Sequence, residues 1–275
     1  MLFGKLGKQA PRIDPRTLQF SKYRRTGLTV PGPGPIQAPP SMGYTAKTEA
    51  TFPSNPWPMF LNDQLGDCTI AAAGHMIGEW SADANKAYMP TDPQILAAYE
   101  DVGGYKPGDP STDNGCVMLD VLNYWRKTGI AGHKIQAYVS IEPKSSAEIS
   151  DAIYLFGNVY LGIQLPLSAQ GAADWRVPAN GDQPGTPGEA GSWGGHCVPI
   201  VGYSQSQGFM QPQPGPGGLT VVTWGGKLNM SWMFLETYAD EAYAVLSPDW
   251  IESNGRAYNG FDLAQLETDL KAITA

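Results

Sequence analysis

A chain of 275 residues that is 42% hydrophobic and carries 8 tryptophans has ample material for a core. Its formal charge of −8 and pI near 4.8 exclude a nucleic-acid backbone as a natural partner, and no apolar run approaches the roughly 20 residues of a membrane-spanning helix. Three widely separated cysteines make no disulfide framework, so with no apolar leader at the N-terminus the expectation is a cytoplasmic protein, or one exported or packed into a particle without such a leader.

Residues 1–51 read as an extended, Pro-rich arm. Lys5, Lys8, Arg12, Arg16, Lys22, Arg24 and Arg25 make it basic, and the prolines of residues 30–35 and 39–40 bar a helix. It reads as a flexible tail, as an arm that buries Ile13, Leu18, Phe20, Tyr23 and Leu28 on its own domain or on a neighbour, or as a propeptide without a marked cleavage point. An arm on a neighbour would build a homo-oligomer or a larger assembly through residues 1–50.

From Phe52 to the end the pattern is that of a globular domain, with a helical half over about 52–133, a β half over about 134–250 and a tail over 251–275. Residues 68–85 carry Ile70, Ala73, Ile77 and Trp80 at helical spacing, with Asp67 as cap. A short helix begins at Asp92 with Pro93 at its first position, and another covers 118–128 before Gly129. Residues 134–141 read as a strand. Ser145 or Ser146 caps a helix that stops at Gly157. Strands follow at 159–165, 197–203, 219–223 and 241–246, with a loop over 168–193, a low-complexity turn over 211–218 and a short helix over 231–238. Helices first and antiparallel strands after predict an α+β fold.

The chemistry gathers around Cys68. A cysteine at a helix N-terminus meets unpaired N–H groups and the positive end of the macrodipole, which favour thiolate. Gln64 can place its amide beside the Cys68 N–H as an oxyanion hole, while Asp67 opposes ionisation. Of three histidines, His75 lies on the Cys68 helix about 10.5 Å further along its axis, too far to serve as base, and His133 falls in an exposed turn. His196 enters a strand after Gly194-Gly195, on the face shared by Val198 and Ile200, with Cys197, Pro199 and Val201 on the other. No spacing among Cys, His, Asp or Glu fits a metal site, and no cofactor motif is present.

The stretch 194–203, Gly-Gly-His-Cys-Val-Pro-Ile-Val-Gly-Tyr, with Gln64, Cys68 and the later Thr223-Trp224-Gly225, resembles the papain-like superfamily of cysteine peptidases over roughly residues 52–250. The close Gln64–Cys68 spacing is most similar to the bacteriocin-leader-processing peptidases. The resemblance implies a helical part packed on an antiparallel sheet or barrel. It implies Cys68 as nucleophile, His196 as base, Gln64 at the oxyanion, and a peptide or protein substrate bound near Trp193, Gly195 and Trp224. The departure is Val222, which stands two residues before Trp224 where those families carry an Asn or Asp to orient the histidine. Thr223 is the nearest polar substitute, and Asp174 or Glu241 could act from elsewhere. A Cys-His dyad, a triad weakened at Thr223, and a papain-fold protein without catalysis that serves assembly or partner binding all remain open at this level.

Overall fold

The computed structural model describes residues 4–25, 35–205, 217–254 and 260–274; Leu28 and most of the predicted Pro-Gly segment and low-complexity turn fall outside them. The described helices are α1 (Phe20–Tyr23), α2 (Thr45–Thr51), α3 (Cys68–Asp83), α4 (Asp92–Gly103), α5 (Met118–Lys127), α6 (Ser146–Phe156), α7 (Trp232–Tyr238), α8 (Pro248–Asn254) and α9 (Leu263–Thr274). The strands are β1 (Ser41–Gly43), β2 (Ala137–Ile141), β3 (Val159–Leu165), β4 (Asp174–Trp175), β5 (Gly194–Ser204), β6 (Gly218–Thr223), β7 (Gly226–Met230) and β8 (Ala239–Leu246). They form one sheet in the order β2-β8-β3-β5-β6-β7-β4, with β1 added on β5; every pairing is antiparallel except β4 with β7. The α+β class is as expected. Among the described residues no helix is long and apolar enough to cross a membrane.

Local chemistry sets the element ends. Thr91, not Asp92, caps α4 through a reciprocal capping box with Gln94. Ser145 caps α6 by accepting from the Glu148 N–H, and Gly157 ends it with φ of +89°. Two cores flank the sheet. One packs α6, α7 and α9 on Val198, Ile200 and Leu161; the other gathers α3, α4 and α5 around Tyr160, Cys197 and Tyr243. Successive residues of β5 therefore serve opposite cores, the period-two division expected for Val198 and Cys197. The helix α3 is buried along nearly its whole length, and the run Ala71-Ala72-Ala73 lets it lie close to the sheet. The Tyr160 hydroxyl, donating to the Thr69 carbonyl at 2.8 Å, pins strand β3 to the first turn of α3.

The N-terminal segment is built into this fold rather than trailing from it. Phe20 and Tyr23 are fully buried, and Phe20 stacks on Phe261 at 5.4 Å. Further on, β1 extends the sheet at β5 and α2 packs on α3. The acidic body receives the basic residues: Lys5 pairs with Asp113, Lys8 with Asp240 and Glu241, Arg12 with Asp120, Lys22 with Asp269, Arg24 with Asp151 and Arg25 with Asp262. Arg16 pairs within the arm, on Asp14. Among the described candidates in the arm, Leu18 is part-buried and Ile13 is 92% exposed.

Candidate active site

Cys68 is the first residue of α3, with its side chain 1% exposed. Asp67 precedes the helix, but its carboxyl does not cap it. Oδ1 instead accepts from the Asn62 amide at 3.1 Å in a fully buried setting, and burial raises this carboxyl well above the usual range. The thiolate expected from the helix start is not favoured here. Burial pushes the Cys68 thiol up to about 12, and backbone hydrogen bonds from Cys197 and Gly7 only partly offset it. Desolvation outweighs a macrodipole effect of about 0.3–1 kcal/mol.

His196 enters β5 from Gly194-Gly195 and is 1% exposed. Its Nε2 lies 2.8 Å from Thr223 Oγ1, while among the described residues its Nδ1 has no hydrogen-bond partner. With the ring proton on Nε2 and donated to Thr223, Nδ1 carries a free lone pair. Burial lowers the imidazole to about 3. Residues Trp224 and Gly225 make the two-residue turn between β6 and β7, with φ of +45° and +77°. Two left-handed residues in a tight hairpin are the type I′ pattern. The pleat of β6 then turns Val222 toward Trp57 and Val201 and leaves Thr223 on the histidine side. The other acids considered are engaged elsewhere: Asp174 with Arg176, and Glu241 with Lys8 and Tyr243.

Trp224 stacks on the His196 ring at 4.6 Å with 19° between planes, and Trp193 leans on Trp224 at 5.3 Å. Together with Trp175, whose ring meets His196 edge-on at 6.3 Å, they wall the imidazole from water.

The cleft between the two halves is filled by the chain's own residues 4–9. Lys5 N–H donates to the Asn62 carbonyl at 2.7 Å, Lys8 N–H to the Gly195 carbonyl at 3.1 Å, and Gln9 N–H to the Cys116 carbonyl at 3.0 Å, while Cys116 N–H donates to the Gly7 carbonyl at 2.9 Å. The approach is close enough to demand glycine. A Cβ on Gly7 would lie 1.8 Å from the Gly66 oxygen, and one on Gly4 would lie 1.7 Å from the Trp224 ring. The group Gly7 turns toward the sulfur is a hydrogen-bond donor, and its carbonyl is already held by Cys116. A peptide therefore lies across the thiol with its Gly7 carbonyl oxygen held by Cys116.

The structure thus brings Cys68 and Gly195 onto one arm segment, with the Cys197 backbone on the sulfur; His196 packs instead against Trp175 and Trp224, and no described contact joins it to Cys68. Gly195 and Trp224 touch that segment directly, and Trp193 supports Trp224. Gln64 stays exposed, its side chain in no described hydrogen bond. The amide directed at the occupant belongs to Asn62, whose Nδ2 donates to the Lys5 carbonyl at 3.2 Å. Sequence reasoning passed over Asn62, although it opens the same stretch that ends at Cys68. It also passed over Gly115-Cys116, the second edge that grips the arm. His75 is buried and bonded to the Pro58 carbonyl at 2.8 Å, and half-buried His133 lies 3.7 Å from Asp249, both remote from the cleft segment's contacts.

Neither a protein-family profile nor any curated protein matches the chain. The fold is similar to that of xylellain, a cysteine protease from Xylella fastidiosa, with a TM-score of 0.62 at 13% identity, covering 89% of this chain and 96% of that one. It is also similar to a digestive procathepsin L2 from the Tenebrio molitor larval midgut, with a TM-score of 0.51 at 12% identity, covering 89% and 84%. A third similar structure is the ragweed pollen cysteine protease Amb a 11 in its proform, with a TM-score of 0.51 at 14% identity, covering 77% and 66%. These likenesses, with the mostly antiparallel sheet and the helices packed on it, give the chain the fold of the papain-like cysteine proteases.

Proposed function

We propose that the protein is a thiol hydrolase of peptide or amide bonds, held latent by its own residues 4–9. The observation that carries the reading is the peptide segment laid between Cys68 and the Gly194-Gly195 edge, which marks the cleft as a place where extended chain is bound by its backbone. With the arm withdrawn, the backbone that covers Cys68 leaves and water returns to the cleft. The reaction requires Cys68 and His196, which share no described contact in the closed chain, to face each other in the open one; His196 Nδ1 then takes the thiol proton as Cys68 Sγ bonds to the substrate carbonyl carbon. The oxyanion draws on the Cys68 N–H and a side-chain amide, from Gln64 or Asn62. The C–N bond breaks as His196 returns the proton to the departing amine. Water, deprotonated by the same imidazole, then cleaves the thioester and restores the thiol. Thr223 keeps the ring in the tautomer this requires, with less charge stabilisation than a carboxylate gives.

The test compares the full chain with its Gly7→Leu variant, whose new side chain has no room in the cleft. Labelling by iodoacetamide at pH 7, mapped by mass spectrometry, is expected to be slow at Cys68 in the native chain and about tenfold or more faster in Gly7→Leu, with peptide hydrolysis appearing alongside. Cys68→Ala in the same background removes both. A Gly7→Leu chain that stays folded, labels Cys68 no faster than free glutathione and cleaves no peptide would sink the proposal.

A further inference from the structure

The arm places one side chain in a pocket whose chemistry is out of keeping with an apolar cleft. The Lys8 side chain is fully buried, with Nζ 2.7 Å from Asp240 Oδ2 and 3.1 Å from Glu241 Oε1. Both carboxylates are themselves positioned. The Gln164 amide donates to Asp240 Oδ2 at 2.6 Å, and the Tyr243 hydroxyl donates to Glu241 Oε2 at 3.0 Å. Room for the lysine stem comes from Gly162. A Cβ there would lie 2.2 Å from Lys8 Cε and 2.8 Å from Met118 Sδ. The pocket is therefore a shaft, open at 162, walled by Met118 and floored by two carboxyl groups, and it opens beside the backbone that crosses Cys68.

We infer that this shaft is the specificity pocket of the enzyme and that it selects a lysine or arginine side chain of the peptide substrate, the arm's Lys8 being the stand-in that occupies it in the closed chain. The inference rests on the hydrolase reading for its cleavage step, and on the pocket alone for its binding step. Glu241 is buried and Asp240 part-buried, and a carboxylate taken from water without a cation is costly, because it loses hydration and gains no partner. An incoming ammonium replaces Lys8 charge for charge, and a guanidinium offers a planar fork to two acceptors. A side chain of the same length without charge fills the shaft but leaves the carboxyls uncompensated. An acidic side chain adds repulsion. Selection is thus exerted by what the pocket refuses as much as by what it holds.

The test uses the full chain carrying Gly7→Leu, with and without Asp240→Asn/Glu241→Gln. Peptides identical except for Lys, Arg, norleucine or Glu at one scanned position are offered, and kcat/KM is measured for each. Dye-labelled copies are also titrated onto the Cys68→Ala form of each chain by fluorescence anisotropy. Lysine and arginine peptides are expected to exceed norleucine by about tenfold or more in both measurements, with the contrast disappearing in the Asn/Gln chain. Cleavage without basic preference, or a preference that survives the Asn/Gln change, overturns the pocket and leaves the hydrolase standing. If nothing is cleaved, the hydrolase reading falls, and the anisotropy ratio alone upholds or overturns the pocket. Should the Asn/Gln chain fail to fold, Gly162→Val takes its place: it closes the shaft, and the preference for long basic side chains must vanish with it.

Discussion

Thr223 is the residue on which the chemistry of this site turns. A hydroxyl takes the place of an amide or carboxylate beside the histidine, and at 2.8 Å it is the sole hydrogen-bond partner described for the ring. A neutral acceptor fixes orientation without stabilising imidazolium charge. Thr223→Val keeps the shape and removes the acceptor, and is expected to lower kcat about ten- to a hundredfold in the arm-displaced chain with KM little changed. Thr223→Ser restores the rate. A purely packing role would give the opposite order, with valine active and serine impaired, in the same steady-state assay. Asn62 is the second residue of interest, since its amide reaches an arm carbonyl, Leu65 and Asp67 at once. The sequence made Cys68 and His196 legible because each lies at an element boundary marked by glycine and followed by an apolar run. It could not expose the Lys8 pocket, whose partners stand 232 residues apart and meet only through the order of strands in the sheet.

Among the elements, those with a full period were readable and those held by tertiary contact were not. The helices α3, α5 and α6 repeat apolar residues over three turns or so, and β3 and β5 are long enough to show their type. By contrast α1 has four residues, too few to nucleate alone, and β7 reads Gly-Lys-Leu-Asn-Met, polar enough to pass for a loop. The arm's folding stayed one alternative among three for the same reason: Phe20 and Tyr23 have no local pattern, only a slot between Phe156 and Phe261. Phe20→Ala should therefore cost about 3–5 kcal/mol in urea unfolding, whereas Ile13→Ala, at a side chain 92% exposed, should change stability by less than about 0.5 kcal/mol. Equal effects would mean that α1 is not part of the cooperative core.

At the scale of the whole molecule, closure buries histidines in neutral form. His196 is lowered to about 3 and His75 to about 4, in both cases by burial. The unfolded chain takes up protons at these sites below about 6.5, while the folded chain does not. Their contribution is complete above about 6.5 and is lost as pH falls toward 4 and 3, on the order of 1 kcal/mol per histidine per pH unit. Asp67, Glu79, Asp151 and Glu241, raised by burial, work in the opposite sense as they protonate, so the histidine part is read as a difference between chains. In urea unfolding from pH 7 down to 4.5 the native chain is expected to lose stability relative to His75→Gln, which leaves the cleft intact, by on the order of 1 kcal/mol per pH unit. A difference that does not change with pH would contradict the buried, neutral state of His75.

The two ends of the arm are fastened very differently. Residues 4–9 lie in the cleft and contain no fully buried apolar side chain, residues 10–13 are open to water, and from Phe20 the chain is part of the interior. A single cut at Arg12 or Arg16 would leave residues 4–9 held by backbone hydrogen bonds and the Lys5 and Lys8 ion pairs alone, while every core aromatic stayed where it is. The protein can thus lose its stopper without losing its keel, and any trimming that unmasks the thiol has a natural limit well short of residue 20.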